Sequence, residues 1–416
     1  MRIYTVVLII AVFLIPVVAF ADDALLTLKD LEQEALNNNP EILMAMKKVE
    51  SAEEKKSLAS ALPDPMIGYM VQNVGSPGPW TVGKEDMSMQ GVVFSQEIPF
   101  PGKLGTKGRM ASKDAERMEQ GARETKLKVL NNLRSAYYEY FLAFKSAEIL
   151  DQTKDLLKNF QRIAETRYAT GQGMQQDVIR AQLEVSMILD RLAEEEQKKE
   201  AQASVINSLV GRNPLAPLGR PDELPKTKPA VSVEEMAVMA VEHSPLLQGK
   251  QRMVEQSREE LSLSRREFLP DMVLSGGWFY RGEKPNVWQA SVLFKIPLYF
   301  WNKSTGVKAA SADLSAARYE YDAERLTTLA RVRDLYSTVR TAEHHIHLYE
   351  AGIIPQAKLS LQSATTNYQV GKTDFMSLLE SENMLLKYQL MEQEELVNLN
   401  KTMSMLVEVT GEDHEL

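Results

Sequence analysis

The 416-residue chain contains no cysteine, and its 48 Lys and Arg against 57 Asp and Glu give a formal net charge of -9. Without thiols there is no disulfide framework, thiolate zinc site, iron-sulfur cluster or lipidated N-terminal cysteine. Without a basic excess, counterion release cannot drive nucleic-acid binding. Aromatic residues reach 7%, and abundant Ala, Glu, Gln and Leu favour long helices over an all-β chain. Past residue 21 no segment reaches about 18 uninterrupted apolar residues, which excludes a helical inner-membrane transporter. Length alone allows two or three domains.

The one long apolar run, Val6 to Phe20, follows Met1-Arg2 and ends in Ala19-Phe20-Ala21. A basic start, an apolar core and a small-x-small site predict a signal peptide over residues 1–21. A retained anchor is the competing reading, and the run is short for a spanning helix.

What is present is a duplication. Asn39-Pro40 matches Ser244-Pro245, Leu62-Pro63-Asp64 matches Leu269-Pro270-Asp271, and Ile98-Pro99 matches Ile296-Pro297. Arg134 to Tyr137 matches Arg333 to Tyr336, Tyr168-x-x-Gly171 matches Tyr368-x-x-Gly371, and Leu209 to Gly211 matches Val409 to Gly411. Six landmarks in one order, offset by 198 to 207, predict two repeats over residues 22–212 and 232–416. Residues 213–231 carry prolines at 214, 217, 221, 225 and 229, a density that blocks helix and central strand and predicts a linker.

Each repeat opens with helical periodicity, Thr27 and Ser232 standing as N-caps. Alternation follows. Met272, Leu274, Trp278 and Tyr280 oppose Asp271, Ser275, Gly277 and Arg281, and Trp288, Ala290, Val292, Phe294 and Ile296 oppose Gln289, Ser291 and Lys295. The pattern predicts β-hairpins over residues 63–98 and 270–297, one face apolar and one polar. Long helical hairpins then span 102–210 and 300–410, with 3-4 stripes such as Leu130, Leu133, Tyr137, Tyr140, Phe144 and Ala147. The second repeat shows Val332, Leu335, Val339, Ala342, Ile346, Tyr349 and Ile353.

Amphipathic strands about 10 residues long suit an outer membrane, yet four cannot close, because bacterial barrels need at least about eight. Strands pooled from three copies would give twelve. A soluble sandwich packed on helices is the competing reading, and the aromatics Trp278, Tyr280 and Trp288 favour a membrane girdle.

These elements, with Leu62-Pro63-Asp64-Pro65, Ser95 to Lys103, and Arg167-Tyr168-x-x-Gly171 followed by Asp177-Val178, resemble the TolC-type outer-membrane efflux factors. The first two motifs lean toward the heavy-metal cation-efflux (Czc/Cus-type) subgroup. The resemblance implies a mainly α fold with transmembrane β-hairpins, assembled as a homotrimer with a 12-stranded barrel in outer-membrane lipid and a helical barrel in the periplasm. It also implies two partners, a periplasmic adaptor and an inner-membrane pump that delivers substrate. Many members carry a lipidated N-terminal cysteine, which this chain lacks.

The resemblance further implies that the turns at Gly171 and Gly371 are adaptor-contacting tips, and that Asp177, Glu380, Tyr168, Tyr368 and Lys372 surround the tunnel entrance. Ser377 replaces an acid expected six residues past Gly371, and Thr373 replaces a linking Arg, a place left to Lys372 or Arg167. Acidic rings there would attract cations. Asp177 capping its own helix is the plainer alternative.

No phosphate loop, zincin motif or nucleophilic cysteine appears, so the reading is a passive duct, not an enzyme, with no cofactor and no resident metal. His344, His345 and His347 fit a helix surface or an interhelical contact better than a metal site. Met66, Met70, Met87 and Met89 cluster at the first hairpin, where thioethers suit Cu(I) or Ag(I) but lipid-facing or gap-filling roles are simpler. Metal cations are the expected cargo. The alternatives are a duct for drugs or secreted proteins, or a non-channel periplasmic coiled-coil scaffold.

Overall fold

A computed structural model describes residues 26–75, 78, 81–226 and 230–411, so the expected signal peptide lies outside the described residues. Each half opens with a helix pair, α1 (Leu28–Asn38) with α2 (Pro40–Ser60) and α5 (Val233–His243) with α6 (Pro245–Arg266). Thr27 caps α1 through Asp30 N–H at 3.3 Å, and Ser232 exchanges bonds with Glu235 at the start of α5. Pro40 and Pro245 occupy first-turn positions, where a missing N–H costs nothing.

The pairs lead into β1 (Met66–Gln72), β2 (Met89–Ile98), β3 (Asp271–Arg281) and β4 (Lys284–Lys295), one antiparallel sheet in the order β1-β2-β3-β4. From β2 runs α3 (Lys103–Ala169), 67 residues, returning as α4 (Gln175–Leu209). From β4 run α7 (Phe300–Leu348), a π-helical turn (Tyr349–Ile353) and α8 (Ile354–Gln369), returning as α9 (Phe375–Thr410). Near the sheet, α3 packs between α2 and α6, and α6 against α7, so the helices keep the order of the strands they join.

The register sorts strand residues by chemistry. Paired positions share a face, so Tyr69, Val92 and Trp278 lie beside Trp288 on one side, with Phe94, Leu274 and Val292 nearby. The other side carries Ser95, Ser275 and Ser291, the charged Glu97, Asp271 and Lys295, and also Val93, Phe279 and Leu293, while Arg281 faces Lys284 past an irregularity in the register. The apolar side is bare: Trp288 is 81% exposed and Phe94 48%. Met66 and Met70 sit on the serine side, opposite Ser95 and Gly91.

The main core joins α3 (Leu133, Tyr137, Phe141) to α7 (Val332, Val339, Ala342) and the end of α9. Toward the tips the buried row on α3 becomes Ser146, Leu150, Thr153, Leu157, Phe160 and Ala164, rather than continuing through Phe144 and Ala147. A 3.6-residue helix drifts about 20° per heptad against a 3.5 repeat, so over this length the stripe moves round the helix. In the second half the π turn adds one residue, and Ile354 rather than Ile353 follows Tyr349 into the core.

Candidate functional site

Both tips are built by the same backbone device. Gly171 and Gly371 are left-handed, at φ 72° and 75°. Gly171 N–H donates to Tyr168 O at 3.0 Å and Gln172 N–H to Arg167 O at 2.8 Å; Gly371 and Lys372 donate equivalently to Tyr368 O and Asn367 O at 3.1 and 2.8 Å. The paired bonds satisfy the last carbonyls of α3 and α8, and glycine takes that φ without strain.

Arg167 locks one tip to the other. Its guanidinium donates to the carbonyls of Tyr368 and Gln369, the latter at 3.2 Å, and to Gln172 O at 2.9 Å, and it lies 4.9 Å over the Tyr368 ring. Tyr368 is 2% exposed, packs on Phe375 and donates its hydroxyl to Asp177 Oδ2 at 3.2 Å. Burial first, and then Asp177, push the Tyr368 phenol up to about 12, with Arg167 opposing. It therefore remains a donor through the physiological range.

Of the residues singled out by sequence, Asp177 and Tyr368 come together in this lock. Tyr168 is exposed, as is Glu380 on α9, and neither joins it. Of the two cations left open, Arg167 bridges the tips, whereas exposed Lys372 takes part through its backbone. Asp374, at the start of α9, caps that helix through Ser377 N–H at 2.8 Å.

Sequence reasoning passed over Glu382. It is 2% exposed, between the buried Leu378 and Leu386 of the tip core. Burial first, and then Glu184 on α4, push its carboxyl up to about 7, against Arg191, also on α4. The available signal was a charged residue inside the 3-4 stripe Phe375, Leu378, Glu382, Leu385. His345 takes an interhelical partner, its Nδ1 lying 3.0 Å from Glu395 Oε1. Among the described residues no group of three or more His, Cys, Asp or Glu is placed to hold a metal.

The outer membrane efflux protein family model matches residues 31–212 and 237–409. The chain belongs to this family. This outer membrane efflux protein is 22% identical over 368 residues to the cobalt-zinc-cadmium resistance protein CzcC of Cupriavidus metallidurans, spanning 86% of this chain and 84% of that protein. It is 21% identical over 392 residues to the cation efflux system protein CusC of Escherichia coli, spanning 86% and 80%. The fold is shared with the outer membrane protein VceC of Vibrio cholerae, at TM-score 0.79 and 19% identity over 92% of this chain and 96% of that one. A CusC crystal structure superposes with TM-score 0.79 at 16% identity, covering 92% and 91%. The protein is thus a member of an efflux-protein family and not an enzyme.

Proposed function

We propose that this efflux protein is one protomer of a homotrimeric outer-membrane duct, its two repeats (22–212 and 232–416) each giving one hairpin to a 12-stranded barrel and one helical hairpin to a periplasmic barrel. The observation that carries the reading is the sheet. β1 and β4 are open edges, one face carries the aromatic and apolar row of Tyr69, Phe94, Trp278 and Trp288, and Glu97, Asp271 and Lys295 lie on the other face. In lipid an open edge leaves backbone groups unpaired, so the sheet must close with further copies, β4 of one beside β1 of the next. A second aromatic group supports the membrane span. Tyr299, Phe300 and Trp301, 67%, 63% and 55% exposed, stand beyond the end of β4 opposite Trp278 and Trp288, and two such belts bound a hydrocarbon slab.

The tips form the entrance. Asp177, Tyr368 and Arg167 hold the two hairpins closed, while Glu380, Tyr168 and Lys372 line the approach. The turns at Gly171 and Gly371 meet a periplasmic adaptor that couples the duct to an inner-membrane pump. Metal cations are the cargo best supported, by CzcC and CusC among the relatives.

Extraction from outer membranes as a heat-modifiable trimer that conducts in planar bilayers is the expected result; a soluble periplasmic monomer overturns the reading and leaves a scaffold. In the same bilayers Asp177→Ala combined with Glu380→Ala should raise single-channel conductance and weaken block by divalent cations. Unchanged conductance rejects the gate.

A further inference from the structure

Within one protomer the two repeats meet along a seam between α3 and α6. Nearest the sheet, Arg109 on α3 donates to Glu259 Oε2 on α6 at 3.0 and 2.9 Å and to Thr106 Oγ1 at 3.0 Å. Farther along α3, Lys113 pairs with Glu255 at 3.0 Å and Glu116 with Arg252 at 3.2 Å. Gln120 then lies against Gly249, where an added Cβ would stand 3.7 Å from the Gln120 Cβ.

The duplication carries each half of this seam to an outer flank. The offset of 199 that relates Arg134 to Arg333 takes Thr106 and Arg109 to Thr305 and Lys308 on α7. The offset of 205 that relates Asn39-Pro40 to Ser244-Pro245 takes Glu259 back to Glu54 on α2. Burial follows the same offsets, Ala115 with Leu314 and Leu133 with Val332, Ile42 with Leu247 and Ala52 with Ser257. Lys308 and Glu54 are both exposed, and neither has an ion-pair partner among the described residues.

We propose that α7 of one copy packs against α2 of the next in the register of the α3–α6 seam, with Lys308 paired to Glu54 of the next copy and Tyr319 seated on its Met44. The charges are complementary, and Thr305 stands beside Lys308 as Thr106 stands beside Arg109. Between these ends the chemistry changes. Lys113, Glu116 and Arg117 become Ala312, Ser315 and Ala316, while Gly249 and Gln120 become Met44 and Tyr319, 51% and 75% exposed. Helical side chains lean toward the N-terminus, so Tyr319 reaches back over Ser315 and Ala316 and fills the space that the ion network takes inside the protomer. The seam between copies is therefore apolar where the inner seam is ionic, and it keeps one ion pair. The inference deepens the duct reading and rests on it for the presence of a next copy; the register comes from the duplication alone.

The chain has no cysteine, so introduced pairs report the register directly. Met44→Cys/Tyr319→Cys puts thiols where the inner seam sets Cβ atoms 3.7 Å apart, a disulfide distance. In outer membranes this variant should form disulfide-linked dimers and trimers on non-reducing gels. Met44→Cys/Ser315→Cys, one turn away on α7, should not. Lys308→Glu and Glu54→Lys should each lower the temperature at which trimers dissociate, because like charges then face each other at every seam, and Lys308→Glu/Glu54→Lys should restore it. Trimers in which Met44→Cys/Tyr319→Cys stays unlinked, or a double reversal no more stable than either single one, overturn the seam and leave the duct. Wild type without trimers overturns both. If the cysteine variants fail to assemble, the reversal series decides by itself.

Discussion

Glu382 shows how one ionisable side chain in an apolar row ties packing to pH. Its carboxyl is pushed up to about 7 from the ordinary 4.5 by burial and by Glu184. A raised carboxyl makes the folded state bind more protons than the unfolded one between those two values. Stability should therefore be full below about pH 4.5, fall as pH climbs to about 7, and level off above. The whole effect is bounded at about 3 kcal/mol per protomer. Glu382→Gln keeps shape and polarity without the charge, so its melting temperature should hardly change from pH 5 to 8 while that of wild type declines. A wild-type curve parallel to that of the variant would remove Glu382 as the source.

At the scale of elements, the tip turns look alike in sequence but differ in what surrounds them. A Cβ added at Gly171 meets nothing within 4 Å, whereas one at Gly371 meets Arg167 Nη2 at 3.2 Å. Both alanine substitutions strain a left-handed backbone, at a cost of about 1–2 kcal/mol. Gly371→Ala also pushes on the guanidinium that joins the tips. Hydrogen exchange should therefore quicken at Gln172 and Lys372 in Gly371→Ala, and only at Gln172 in Gly171→Ala. Equal, local effects in both variants would show that Arg167 does not couple the turns. The turns, caps and strand faces were legible because each depends on neighbours in sequence: a glycine past a helix, a Thr or Ser before one, alternation along a strand. The π turn, the rotation of the stripe on α3 and the Arg167 lock were not, because they depend on accumulated twist or on residues about 200 positions apart. Register placed β2 beside β3, joining two hairpins that the sequence presents separately.

For the whole molecule, the decisive property is which face of the sheet looks outward. Leu274 and Ser275 are adjacent on β3, paired with Val292 and Ser291, and their side chains leave opposite faces. If the apolar face meets lipid, Leu274→Arg places a charge in hydrocarbon, which near the midplane costs about 2–4 kcal/mol per copy. Threefold repetition multiplies that penalty, and the variant should accumulate as unassembled monomer. Ser275→Arg puts the same charge on the serine face, where water solvates it. That variant should assemble as a normal trimer and conduct, with its ion preference moved toward anions because a ring of positive charge raises the barrier to cations. Gel mobility of unheated samples and reversal potentials in a salt gradient read both outcomes. The opposite pattern, Leu274→Arg conducting and Ser275→Arg failing to assemble, would turn the barrel inside out and place Met66 and Met70 in lipid.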